Sequence, residues 1–222
     1  MKKENLKSNP YQKILEEFVG EDELRPWMNK PFYIGDTAYS TNAATMVIMD
    51  KSKGVIADPL TDYKPESVKS VIPEINGLLT SYKTKDLIDR FDSIKLIPEV
   101  LLEDIEKECG ECDGEGEVEW GYGNHIKYDT CPECYGQCVY EDTKEVVTGE
   151  MVKEEGLIKI GNSTFATSII GKIVDFAKEV NSKTIKLVHQ SHDRAASVLE
   201  IEGVRFLIMP NISENLELKI II

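Results

Sequence analysis

Between Thr164 and Val180, apolar side chains fall at Phe165, Ile169, Ile170, Ile173, Val174, Phe176, Ala177 and Val180. Steps of three and four predict a helix with one buried face, and Asn181 marks its stop. Three runs with a period of two follow: "TIKLVHQ" at 184–190, "AASVLEIEG" at 195–203 and "VRFLIMP" at 204–210. They predict strands, with a turn at Gly203 and an end at Pro210. "GLIKIGNSTF" before the helix predicts a further strand and turn. The first third echoes this order more weakly. "NPYQKILEEFVG" predicts a helix with Asn9 as N-cap, Pro10 in its first turn, Tyr11, Ile14, Leu15 and Phe18 on one face, and Gly20 as C-cap candidate. Two or three strands follow over 30–58, with turns at Gly35-Asp36 and Lys53-Gly54. The middle is broken by Pro73 and Gly77, and "TKDLIDRF" predicts a short helix. A helix followed by antiparallel strands, occurring twice, predicts an α+β fold with two helices packed on a curved sheet system.

Between these halves the pattern changes, because all 5 cysteines lie in "CGECDGEG" (109–116) and "CPECYGQC" (131–138). Each Cys-x-x-Cys turn offers two sulfurs on one side of a loop. Two such turns 18 residues apart complete a tetrahedral site for one structural zinc ion on Cys109, Cys112, Cys131 and Cys134. The spacer alternates in "EVEW" and "HIKY" around "GYGN", so a hairpin brings the second pair back to the first. A redox dithiol is a second reading, disfavoured by the surrounding Glu and Asp; pairwise disulfides are a third. Cys138 is either a spare ligand or a free, partly buried thiol, and His125 sits exposed at the hairpin turn.

Charge sharpens this division. The chain of 222 residues carries a formal charge of −14, and 101–155 holds 17 Asp and Glu against 4 Lys and no Arg. The remainder is nearly neutral. The cysteine segment therefore repels phosphate and attracts basic protein partners. Any nucleic-acid contact falls to the scaffold and is expected to be weak. Its predicted helices expose Lys13, Glu16 and Glu17, and Lys172, Asp175, Lys178 and Glu179, which form no basic stripe. No apolar run approaches the roughly 18–20 residues of a membrane span. The basic start "MKKENLKSNP" has no apolar stretch behind it, so no secretory signal and a cytoplasmic location are expected.

The cysteine repeats resemble the Cys-x-x-Cys-x-Gly-x-Gly motif of the zinc domain of DnaJ-type cochaperones. "CGECDGEG" matches it in full, and in "CPECYGQC" Cys138 replaces the last glycine. The resemblance implies a single-zinc knuckle that contacts protein. The chain has no His-Pro-Asp tripeptide, so it does not extend to a J-domain. Separately, "GLIKIGNSTFATSIIGKIVDFAKEV", "IKLVHQ", "SVLEIEG" and "VRFLIMP" resemble a domain of bacterial DNA sliding clamps, and "DTAYSTNAATMVIMD" is weakly similar to a clamp hairpin. That resemblance implies a clamp-like scaffold.

The expected organisation is a scaffold over 1–105 and 141–222 with a zinc knuckle inserted at 106–140. The expected function is a non-enzymatic interaction protein that binds a protein partner through the acidic knuckle, with replication or a mobile element as its expected setting. The alternatives are a DnaJ-like module that holds unfolded protein, and an enzyme using His189, His192 and Asp193. No phosphate loop or nucleophile elbow accompanies those residues. Trp27 is expected to pack in the core, while Trp120 either packs or serves as an exposed contact. A closed ring of clamp domains would need oligomerisation. "LELKIII" could offer an edge strand for it or pair within its own sheet.

Overall fold

A computed structural model describes residues 9–61, 63–212 and 216–221, so the basic stretch 1–8 lies outside the described residues. In chain order the elements are α1 (Pro10–Glu16), β1 (Phe32–Ile34), β2 (Thr37–Thr41), β3 (Thr45–Asp50), β4 (Asp58–Pro59), α2 (Pro65–Ser70), β5 (Thr80–Lys83) and α3 (Thr84–Asp92). Then come β6 (Leu96–Glu108), β7 (Glu117–Tyr122), β8 (His125–Thr130), β9 (Val139–Lys153), β10 (Leu157–Ile160), β11 (Ser163–Ala166) and α4 (Thr167–Glu179). The chain closes with β12 (Thr184–Gln190), β13 (Ser197–Ile201), β14 (Val204–Ile208) and β15 (Leu218–Ile221). The fold is α+β and dominated by sheet. It divides into two compact units, one formed by 1–95 with 153–222 and the other by 96–152.

The first unit is built on an eight-stranded sheet in the order β4-β1-β2-β3-β14-β13-β12-β5. The two predicted halves meet at its centre, where β3 pairs antiparallel with β14. Each half is a helix followed by three antiparallel strands, α1-β1-β2-β3 and α4-β12-β13-β14. Both faces of the sheet are covered, so its central strands are apolar on both sides. In β3, Val47 and Met49 face the helices, while Met46 and Ile48 join a second cluster with Phe32, Tyr39, Val198 and Leu207. Phe206 is fully buried under the helices, within 5.8 Å of the Phe176 ring and 6.3 Å of the Phe18 ring.

Several expectations are corrected. Four helices are present among the described residues, and α3 joins α1 against α4. Helix α4 starts at Thr167; Phe165 belongs to β11 and still enters the core, because a strand facing the core buries alternate residues. Gly20 does not cap α1. The cap is Glu17 in right-handed geometry, and the Gly20 N–H donates to the Met28 carbonyl. The sheets are not purely antiparallel, since β4 runs parallel to β1. The last strand, β15, pairs parallel with β10 within its own unit. The Asn9 cap stands as expected, accepting from the Tyr11 N–H at 3.0 Å.

Helices α3 and α4 approach closely at Gly171, where an added Cβ would lie 2.8 Å from Cζ of Phe91. Gly171→Ala should therefore destabilise by about 1 kcal/mol or more, although alanine favours helix by about that amount elsewhere. Denaturant unfolding of Gly171→Ala, alone and combined with Phe91→Leu, checks this. The second change should restore part of the loss.

Candidate metal centre

The second unit, 96–152, consists of two separate two-stranded sheets, β6-β9 and β7-β8. The module expected at 106–140 lies inside it, and so do the flanks 96–105 and 141–152, because β6 and β9 pair. The chain leaves the first unit at Lys95 and returns beside it, where the Glu154 N–H donates to the Lys95 carbonyl at 2.8 Å.

The unit lacks an ordinary hydrophobic core. Its fully buried residues are Cys109, Cys112, Cys131, Cys134 and Gly116, and Val118 is the one partly buried hydrophobic packed against the sulfurs. Each of the four cysteines is at most 7% exposed. Their sulfurs all lie within 4.8 Å of one another. Cys109 and Cys131 are 3.7 Å apart, as are Cys112 and Cys134. A metal with thiolates at about 2.3 Å in tetrahedral array places its sulfurs about 3.8 Å apart, whereas a disulfide requires about 2.05 Å. The donor set therefore fits a single ion, closed on all sides.

Local backbone geometry explains why the sulfurs converge. Asp113, Gly114 and Gly116 have φ of 47°, 77° and 80°; Tyr135, Gly136 and Cys138 repeat them at 51°, 82° and 69°. In both turns the residue three after the second cysteine donates its N–H to that cysteine's carbonyl at 2.9 Å, Glu115 to Cys112 and Gln137 to Cys134. The two knuckles are then cross-linked by reciprocal bonds. The Cys131 N–H donates to the Gly116 carbonyl and the Cys109 N–H to the Cys138 carbonyl, each at 2.9 Å. Cys138 thus holds the place of a glycine in the repeat, half-buried and outside the sulfur cluster.

The thiols are electrostatically unequal. Burial pushes Cys112 up to about 12, although the Gly116 N–H points at its sulfur from 3.2 Å. Burial also opposes ionisation of Cys134, but the Cys138 N–H and the neighbouring Cys112 and Cys131 thiols bring it down to about 7. Four such sulfurs cannot all ionise side by side without a cation among them.

Of the alternative catalytic set, His192 Nδ1 lies 3.9 Å from the Asp193 carboxylate. His189 is half-buried in β12, while His192 and Asp193 are exposed in the following loop, where His192 Nδ1 accepts from the Arg194 N–H. His125 is exposed beside the hairpin turn. The helix lysines are already engaged: Lys13 with Glu179, Lys172 with the Glu17 carbonyl, and Lys178 with Asp92 and Asp175. Sequence reasoning missed an apolar cleft of about 290 Å³ on the first unit, lined by Trp27, Met28, Tyr63, Val68, Leu207 and Met209 among others. Trp27 packs edge-on against buried Phe32 at 5.6 Å and stacks on Tyr63 at 4.6 Å, so it joins the second cluster as one wall of the cleft. Separate segments supply these residues, so no local pattern announces the cleft. No helix among the described residues is long and apolar enough to cross a membrane.

Among solved structures the chain is similar to bacterial DNA polymerase sliding clamps. The Bacillus subtilis clamp aligns with a TM-score of 0.49 and 13% identity, over 92% of this chain and 62% of that one. A Pseudomonas aeruginosa clamp crystallised with ligand gives 0.47 and 11%, over 91% and 63%. The Bartonella birtlesii clamp bound to griselimycin gives 0.47 and 13%, over 92% and 63%. The chain thus spans about three fifths of the length of these clamps. No protein-family model matches the sequence, and no curated protein does.

Cys138 sits at a φ of 69°, a conformation that costs an L-residue about 1–2 kcal/mol and glycine almost nothing. Cys138→Gly should make 96–152 more resistant to chelator-induced unfolding by about 1 kcal/mol, read by hydrogen exchange of its amides. Weaker resistance would show that the Cys138 thiol contributes to the site.

Proposed function

We propose that the protein is a non-enzymatic zinc-binding interaction protein. Cys109, Cys112, Cys131 and Cys134 hold one structural zinc ion, and the acidic unit around it binds a protein partner. One observation carries this: the only fully buried side chains of 96–152, among the described residues, are four sulfurs at tetrahedral spacing. Four thiolates in a closed tetrahedron select zinc among common divalent ions, with a lone iron as the competing occupant. The site has no open coordination position, so it serves structure rather than catalysis. The doubled knuckle supports a DnaJ-type relationship for this segment alone.

Metal analysis of protein purified under reducing conditions should find one zinc per chain. Cys109→Ser and Cys134→Ser should release it and make 96–152 sensitive to protease, while the unfolding midpoint of the first unit stays within about 0.5 kcal/mol. Freely alkylated thiols in metal-free native protein, or loss of the whole cooperative transition in these variants, would overturn the proposal. The replication setting rests on the sequence resemblance over 156–210. Binding to purified replicase subunits tests it, and capture of a reduced, unfolded substrate instead would favour the chaperone-like alternative.

The apolar cleft favours a second contact on the scaffold. Its size and lining suit two or three apolar side chains of a peptide, with Arg25 at the rim. Met209→Asp should abolish binding of a partner peptide there and leave the zinc content unchanged, as read by calorimetry and metal analysis.

A further inference from the structure

The hairpin β7-β8 stands on the metal centre. Its base is fixed by Val118, which packs on the sulfurs, and by the bond from the Cys131 N–H to the Gly116 carbonyl. Beyond that base it is bare. Trp120 is 57% exposed, Tyr122 89%, Ile126 63% and Tyr128 62%. The register separates its two faces. Val118, Trp120 and Tyr122 share a face with their cross-strand partners Asp129, Lys127 and His125. Glu117 and Glu119 share the other face with Thr130 and Tyr128, and the Tyr128 hydroxyl donates to Glu119 at 3.0 Å. Two exposed rings on one face leave aromatic surface that a partner can cover.

Charge selects the occupant. Residues 96–152 carry 16 Asp and Glu against 3 Lys and no Arg. Two of those lysines are already committed, Lys127 to Asp129 and Lys107 to Asp142. A second copy of this surface, a nucleic-acid backbone and an anionic membrane would all be repelled. A neutral apolar segment would gain nothing from the field. An arginine side chain suits this surface: its guanidinium lies flat on an aromatic ring, and the net negative charge of the unit attracts it, while the ring face itself carries Lys127, paired with Asp129, and His125.

We propose that the Trp120–Tyr122 face of the hairpin is the docking surface for an arginine-rich segment of a partner protein. This rests on the interaction-protein reading of the acidic unit and names the chemistry of its partner. The rings supply stacking, and the acidic unit supplies attraction at a distance and discrimination against other ligands.

The test uses the full chain, its zinc content measured in every sample, and three dye-labelled ten-residue peptides in which serine alternates with arginine, leucine or glutamate. Fluorescence anisotropy should show binding of the arginine peptide alone, weakening as salt rises from low to above physiological. Trp120→Ala/Tyr122→Ala leaves the net charge and the zinc untouched, and should weaken arginine-peptide binding about tenfold, from two lost cation–π contacts of about 0.5–1 kcal/mol each. Unchanged binding by the double variant would overturn the proposal, since the field alone would then suffice. Equal binding of the leucine peptide, or no binding by zinc-loaded protein, would overturn it as well. A zinc-free native protein would instead sink the metal reading on which the surface depends, so the two failures are distinguishable.

Discussion

Four sulfurs packed within 4.8 Å of one another and shut away from water stand where the second unit would otherwise have a core. Everything else about 96–152 follows from that crowding. Two-stranded ribbons are marginal in water on their own, and neither β6-β9 nor β7-β8 has a third strand. A polypeptide of this size buries too little apolar surface to hold many fixed dihedrals. A cation among thiolates would replace that missing burial with a few strong, directional bonds. It would also offset the charge of its ligands at the one place where charge cannot be hydrated.

The surroundings of the cluster are arranged for the same end. Each knuckle turns its backbone through left-handed conformations, and in the first the Gly116 N–H points at the Cys112 sulfur. The reciprocal bonds from Cys131 to Gly116 and from Cys109 to Cys138 give the pair an approximate twofold relation. That relation is written in the sequence as the repeated Cys-x-x-Cys-x-Gly. Its one departure, Cys138 for glycine, is visible in the backbone as a cysteine held at a glycine's φ.

Much of this was legible from residues alone, and the misses have physical causes. The doubled spacing led directly to the four sulfurs, because two turns at that separation leave few other ways to satisfy buried cysteines. The period of α4 and the runs of β12, β13 and β14 were clear because each element buries one continuous stripe. The start of α4 was misplaced at Phe165, since a strand residue facing the core and a helix residue facing the core look alike at a boundary. Gly20 was misread as a cap because glycine serves close approach as readily as a left-handed turn; here it packs beside Met28. The short helix expected over 84–91 is present as α3, and Leu87 and Phe91 fix it in the core. The cleft of Trp27 and Met209 left no trace, because its walls come from strands and helices far apart in the chain.

The two units hold together by different physics, and that difference matters for function. The scaffold rests on apolar burial around Phe206 on one face of its sheet and around Phe32 and Leu207 on the other. Such a core is indifferent to metals and oxidants. The inserted unit buries four thiols instead, and the bond from the Glu154 N–H to the Lys95 carbonyl closes the scaffold at the point of insertion. Loss of the ion would therefore release the hairpin that carries Trp120 and Tyr122 while leaving the strands beneath Phe206 in place. On the zinc reading proposed above, binding by the aromatic, acidic surface would be tied to zinc supply and thiol oxidation rather than to the stability of the fold that bears it.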